Sequence, residues 1–251
     1  MPKSLKIYIF LLVLIFIGII WADATKERPI DWRESYSLNE KIPFGLYVFN
    51  QEHKAIFKPQ TVEKFSESPY EFLDKNYNTY DSIYDIEGTI LLIQNKSAID
   101  EFSENELFYF ASHRNAIFYS NSNFSQKFAD SLGFEIEYSN DFADSLQFKI
   151  NQNQKAGNFY FNKGINTAYF SKFDSSKTEV LGTQINSKGE EFANFIKVKH
   201  LNGNFYLHLQ PVAFTNYYLL NKNIKYTEDV LGYIPSQLPI YWKVKQYDNE
   251  E

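Results

Sequence analysis

The stretch GTILLIQ, Gly88 to Gln94, decides the fold. Its apolar run is nearly continuous. A strand with one wet face alternates, so this composition belongs to a strand covered on both faces. DEFSENELFYFASH follows, from Asp100 to His113. Ser103 with Glu106 three residues on fits a capping box, and Phe102, Leu107, Phe110 and Ala111 give a helical apolar face. NAIFYS (Asn115 to Ser120) reads as a second buried strand. SQKFADSLG reads as a second helix that Gly133 ends, and FEIEY (Phe134 to Tyr138) as a third strand. This strand-helix-strand-helix-strand order predicts an α/β domain with an open, mostly parallel sheet and right-handed crossovers.

Downstream the pattern changes. From Ser139 to Glu191 the apolar runs are short (NFYFN, AYFSKF, EVLGTQI) and Asn, Gln, Lys and Ser are frequent, which predicts an irregular β-rich insertion. FIKVKHLNGNFYLHLQ then carries a hairpin signal. Asn202-Gly203 suits a type I′ turn flanked by alternating residues, and a two-residue loop there sets Val198 opposite Leu207. FTNYYLL is expected to start a short helix capped by Thr215, YTEDVLGYI to form another, and LPIYWKV a terminal strand. Upstream, PFGLYVFN (Pro43 to Asn50) reads as the first strand and HKAIFK as a helical piece. TVEKFS reads as a strand and SPYEFLDKN as a short helix with Pro69 near its start.

The first residues give an address. Lys3 and Lys6 precede an uncharged run from Ile7 to Ala22. Sixteen helical residues span roughly 24 Å, a little short of a ~30 Å hydrocarbon core. Flanking Leu5 and the interfacial Trp21 let the run cross. The alternative is a cleaved signal peptide, because Ala22-Asp23-Ala24 has the small-x-small form of a cleavage site. Residues 1–22 are read as an uncleaved transmembrane anchor, 23–42 as a polar tether and 43–251 as the domain. Lys3 and Lys6 keep the N-terminus cytoplasmic, which places the domain in the periplasm of a single-pass inner-membrane protein.

Composition excludes several chemistries. The chain of 251 residues has a net charge of -6, a pI near 5.4 and no dense basic-aromatic run, so no nucleic-acid partner is expected. With no cysteine it has no disulfide, thiolate metal site or Cys nucleophile. It contains no G-x-G-x-x-G, Walker lysine motif or G-x-S-x-G. His200 and His208 have opposite strand parity, so they face opposite sides of the sheet and cannot share an ion. His53 and His113 have no partner at ligand spacing, so no metal and no cofactor are expected. Glu104 and Glu106 are read as solvated, as is the acidic tail.

The remaining candidates follow a strand exit, the usual ligand position in parallel sheets. They are His208, Gln210, Thr215 and Asn216. Read functionally, His208 is a base or hydrogen-bonding group and the other three are neutral donors and acceptors. Read structurally, Gln210 and Asn216 satisfy backbone groups around Pro211, and Thr215 caps a helix.

The N-terminal anchor, GTILLIQ, the helix before NAIFYS, and GNFYLHLQPVAFTNYYLL together resemble the domain of unknown function 4350 family, chiefly its Bacteroidetes-type members. The resemblance runs from KIYIFLLVLIFIGII to PIYW. It implies a flavodoxin-like, class I glutamine amidotransferase-like fold. In catalytic relatives of that fold a Cys follows a central strand and a His-x-Glu pair follows a later one. Here His208-Leu209-Gln210 looks like a weakened echo of the pair. Asn95-Lys96-Ser97 follows GTILLIQ, so the nucleophile is missing and amidotransferase chemistry is not expected. The family also implies, by association, a membrane complex with a MoxR-type ATPase and von Willebrand A-like proteins. Many relatives continue into a second transmembrane helix, so the chain reads as a shortened member or as one ending at a cut boundary. The expectation is a non-catalytic, membrane-anchored domain that binds a partner protein or small ligand. The alternative is a hydrolase or transferase pairing His208 with an unidentified hydroxyl nucleophile.

Overall fold

The structure, a computed structural model, describes residues 2–26, 29–95, 99–139, 145–151, 157–221 and 223–245. Residues 96–98 and the acidic tail lie outside them. The chain forms two compact units, Met1–Asp31 and Trp32–Glu251.

The first unit is the helix α1, Lys3–Ala24, whose side chains are all exposed. Its 22 residues span about 33 Å, longer than the uncharged run alone. It is long and apolar enough to cross a membrane.

In the second unit the elements run α2 (Tyr47–Ile56), β1 (Val62–Phe65), α3 (Pro69–Lys75), β2 (Tyr77–Asn78), β3 (Ile83–Tyr84), β4 (Thr89–Ile93), α4 (Glu101–Ser112) and β5 (Ala116–Ser120). They continue with α5 (Gln126–Leu132), β6 (Phe134–Tyr138), β7 (Leu146–Ile150), β8 (Phe159–Phe161), β9 (Ala168–Phe173) and β10 (Thr178–Ile185). The last are β11 (Glu191–His200), β12 (Gly203–His208), the 3-10 turn Pro211–Phe214, α6 (Asn216–Leu220), α7 (Ile224–Leu231) and β13 (Ile240–Lys243).

Eleven of these strands make one open, mixed sheet, in the order β1-β13-β4-β5-β12-β11-β10-β7-β8, with β9 pairing β11 and β6. From β1 to β12 all neighbours are parallel; beyond β12 all are antiparallel. This is an α/β fold whose parallel block is extended by an antiparallel insertion. Every residue of β4 and β5 is buried, as their apolar runs require. Alternate side chains enter two cores. Leu91, Ile93 and Phe118 join one with Phe49, Phe214 and Tyr226. Ile90, Leu92, Ile117 and Tyr119 join the other with Leu107, Phe110 and Phe128.

Several sequence expectations are corrected. Residues 32–42 are no tether, because Tyr36 and Leu38 are core residues and backbone bonds tie Tyr36 to Phe44 and Ser37 to Leu46. PFGLYVFN is no strand. Its apolar residues Leu46 and Phe49 continue with His53 and Phe57 at helical spacing and bury one side of α2. FEIEY does not join the parallel block: β6 pairs antiparallel with β9. The cap of α4 is Asp100, whose carboxylate accepts from the Ser103 amide at 2.9 Å and from its hydroxyl at 2.6 Å. Phe102 is exposed, and Glu104 is buried rather than solvated, its carboxyl raised by that burial.

The hairpin turns at Leu201-Asn202, so Val198 faces Phe205 and His200 faces Gly203. This two-residue difference preserves parity, and His200 and His208 do lie on opposite faces. Leu201 takes the left-handed conformation (φ 51°) and Gly203 does not. Glycine is needed at 203 for another reason. A Cβ there would stand 2.0 Å from the Ala111 carbonyl oxygen and 2.2 Å from that of Asn115.

Candidate functional site

β5 and β12 run side by side and parallel, with Ser120 opposite His208. From β5 the chain turns to α5, whose Phe128 and Leu132 pack in one core. From β12 it turns to the 3-10 turn, whose Val212 and Phe214 pack in the other. Neighbouring parallel strands whose exits diverge in this way open a crevice at their carboxyl ends, where doubly wound sheets hold ligands.

Here the crevice is occupied by the protein's own side chains. His208 is fully buried. The rings of Phe118, Phe195, Phe214 and Tyr226 surround it, with centroids 5.5 to 6.4 Å away. Its Nδ1 lies 2.9 Å from Ser120 Oγ and its Nε2 lies 2.9 Å from the Tyr226 hydroxyl. Burial alone pushes the imidazole down to about 3 and raises the Tyr226 phenol. The ring is therefore neutral, with one N–H, and the two hydroxyls can serve either tautomer as donor or acceptor. The Asn194 side-chain nitrogen reaches the Tyr226 hydroxyl at 3.5 Å, and its oxygen Oδ1 is buried without a hydrogen-bond partner. The chain Ser120–His208–Tyr226–Asn194 contains a hydroxyl beside an imidazole, as a hydrolase needs. It has no carboxylate to stabilise an imidazolium, and Ser120 and His208 are both fully buried.

The other sequence candidates do not join this chain. Gln210 Nε2 donates to the Asn166 carbonyl at 2.7 Å and to Gln184 Oε1 at 3.4 Å, while its Oε1 accepts from the Asn166 amide at 3.3 Å. It fastens the start of β9 to the sheet, and the His-x-Gln run forms no couple. The Thr215 hydroxyl donates back to the Val212 carbonyl at 2.6 Å and makes no cap bond to α6. Asn216 Oδ1 accepts from the Val48 amide at 2.7 Å, and its Nδ2 donates to the Glu40 and Ile42 carbonyls at 2.9 and 2.7 Å. The backbone groups satisfied by Gln210 and Asn216 are thus those of Asn166 and of residues 40–48, not those around Pro211. All four candidate side chains are buried and bonded within the domain.

Ser120, Tyr226 and Asn194 were not singled out by sequence. The signal for Ser120 is its place as the last, polar residue of the apolar run NAIFYS. Tyr226 and Asn194 come from a helix and a strand that only the tertiary fold brings to the imidazole.

Open concavities lie elsewhere. A cleft of about 680 Å³ at the amino ends of the parallel strands is lined by Tyr84, Glu87, His113, Arg114, Leu201 and Asn202. A pocket of about 170 Å³ at the carboxyl ends of β4 and β13 is lined by Glu34, Tyr36, Gln94, Asn95, Lys243 and Lys245. Lys245 donates to the Ser35 carbonyl and Lys243 to the Val244 carbonyl there, and burial lowers Lys243. Among the described residues no group of three His, Asp or Glu side chains could hold a metal ion.

No family model and no curated protein matches the chain. Solved structures resemble it distantly. Exo-beta-1,4-mannosidase Op5Man5 from Opitutaceae bacterium strain TAV5 aligns at 9% identity and a TM-score of 0.46, over 77% of this chain and 40% of that one. A catalytic mutant of Gan42B, a GH42 beta-galactosidase from G. stearothermophilus, aligns at 10% identity and a TM-score of 0.38, over 79% and 37%. Beta-galactosidase from Bacillus circulans sp. alkalophilus aligns at 10% identity and a TM-score of 0.34, over 56% and 22%. The chain thus spans well under half the length of these structures.

Proposed function

We propose that this chain is a non-catalytic, membrane-anchored extracytoplasmic domain that binds a partner protein or small ligand. The observation that carries the reading is the sealed, neutral Ser120–His208–Tyr226 chain at the sheet's ligand-binding position. A reaction centre there needs solvent access and a group to hold a protonated imidazole, and among the described residues the side chains around His208 supply neither. The apolar helix α1, with Lys3 and Lys6 before its uncharged run, supports a single-pass inner-membrane anchor with a cytoplasmic N-terminus and a periplasmic domain. Membership of the domain of unknown function 4350 family rests on the sequence resemblance, and so does a complex with a MoxR-type ATPase and von Willebrand A-like proteins. Cross-linking in native membranes, then isolation in mild detergent, is expected to recover a defined partner at constant stoichiometry. Repeated recovery of the chain alone counts against the reading.

One observation favours a second reading. Ser120 supplies the hydroxyl that a hydrolase or transferase using His208 would require. That enzyme would have to open the aromatic shell before each turnover. A hydrolytic activity lost on both Ser120→Ala and His208→Gln, with folding retained, would select it.

A further inference from the structure

The domain's exposed apolar side chains include one group with the composition of a membrane interface. Trp32 packs edge-on against Tyr217, with ring centroids 5.3 Å apart, and the Lys163 ammonium stands 5.7 Å from the Trp32 ring centroid. The Tyr217 hydroxyl donates to Asn162, next to Lys163, at 3.3 Å. Leu220 lies one helical turn beyond Tyr217 on α6, and Ile224 opens α7 just after it. Leu220 is 72% exposed, Trp32 39% and Ile224 36%, and Tyr217 is half-buried. Of the other tryptophans, Trp242 is buried in the core and Trp21 belongs to α1. Trp and Tyr with exposed Leu beside a lysine is what the boundary between headgroups and acyl chains selects, because each ring has an apolar body and a polar tip.

Connectivity names the occupant. Trp32 follows Ala24, the last residue of α1, by eight positions in the sequence. Of the domain's exposed apolar groups, this one therefore has the shortest connection to the anchor. We propose that the Trp32–Lys163–Tyr217–Leu220–Ile224 face seats on the bilayer surface that residues 7–22 enter, holding the domain against the membrane in one orientation. The proposal rests on the reading of α1 as a retained anchor.

The test uses the full chain with Trp21→Phe, reconstituted in phosphatidylcholine–phosphatidylglycerol vesicles. Trp32 is then the exposed fluorophore and Trp242 a buried reference. Lipids brominated near the carbonyl end are expected to lower the Trp32 emission about twofold, as for a ring seated ~5–10 Å into the interface. Leu220→Asp with Ile224→Asp, both surface changes, should restore it while circular dichroism stays unchanged. Equal emission in brominated and plain vesicles, with the chain retained after alkaline extraction, overturns the docking and leaves the anchor standing. Release of the chain by alkaline extraction overturns both.

Discussion

Replacing His208 by Gln should change how stability depends on pH. In the folded domain the imidazole is held down to about 3 by burial among aromatic rings. In the unfolded chain it returns to its ordinary value of about 6.5. Between these values the unfolded state binds a proton that the folded state refuses. The stability involved is therefore fully present above about 6.5 and is lost as pH falls toward about 3, at ~1.4 kcal/mol per pH unit. From about pH 7.5 to about pH 5 the cost attributable to His208 is then ~2 kcal/mol. His53 and His200 are also lowered by burial and act in the same direction, while buried Glu104 is raised and opposes them. The difference between the wild type and His208→Gln isolates the one ring. Urea unfolding of the full chain in detergent micelles, followed by far-ultraviolet circular dichroism at the two pH values, measures it. The wild type should lose about 2 kcal/mol more than the variant on acidification. Equal losses would mean that the imidazole titrates as a hydrated group and that the crevice admits water.

Substitutions at two further positions probe the surrounding fold by the same unfolding measurement. Asn216→Ala removes three bonds of 2.7 to 2.9 Å and should cost about 3 kcal/mol, at ~1 kcal/mol each. Asn216→Asp should rescue little, since a carboxylate would face the Glu40 and Ile42 carbonyls, and a wild-type midpoint in either variant would refute the bracing role. Gly203→Ala forces a Cβ against two backbone carbonyls and should cost about 2–3 kcal/mol by overpacking. A neutral result would show that the hairpin can move away from the end of α4.

The parallel centre of the sheet was legible because GTILLIQ and NAIFYS are buried on both faces and carry no alternation. Element order could not reveal strand partners: FEIEY occupies the sequence position of a third parallel strand, yet its ladder forms with β9, thirty or more positions later. The helix α2 was hidden because Leu46, at its N-cap, has no capping side chain and its first residues, Tyr47, Val48 and Phe49, are good strand formers. The hairpin register was not legible because glycine suits a tight turn and a close backbone approach alike, and at Gly203 the close approach demands it. For the candidate site, parity correctly separated His200 from His208. Sequence could not show that Gln210 and Asn216 spend their hydrogen bonds on distant backbone, since those partners lie up to 176 positions away, nor that Thr215 turns back to the Val212 carbonyl instead of capping α6. Nor could it bring Tyr226 and Asn194 to the imidazole, because packing of α7 on the sheet decides that.

The proposal of a non-catalytic domain turns on whether the Ser120 hydroxyl, beside the His208 imidazole, can react. Incubating the native, full-length protein with a fluorophosphonate and mapping modified residues by mass spectrometry tests it most directly. The account predicts no adduct on Ser120 in the folded chain. A Ser120 adduct that forms in the native protein and disappears on His208→Gln would contradict it.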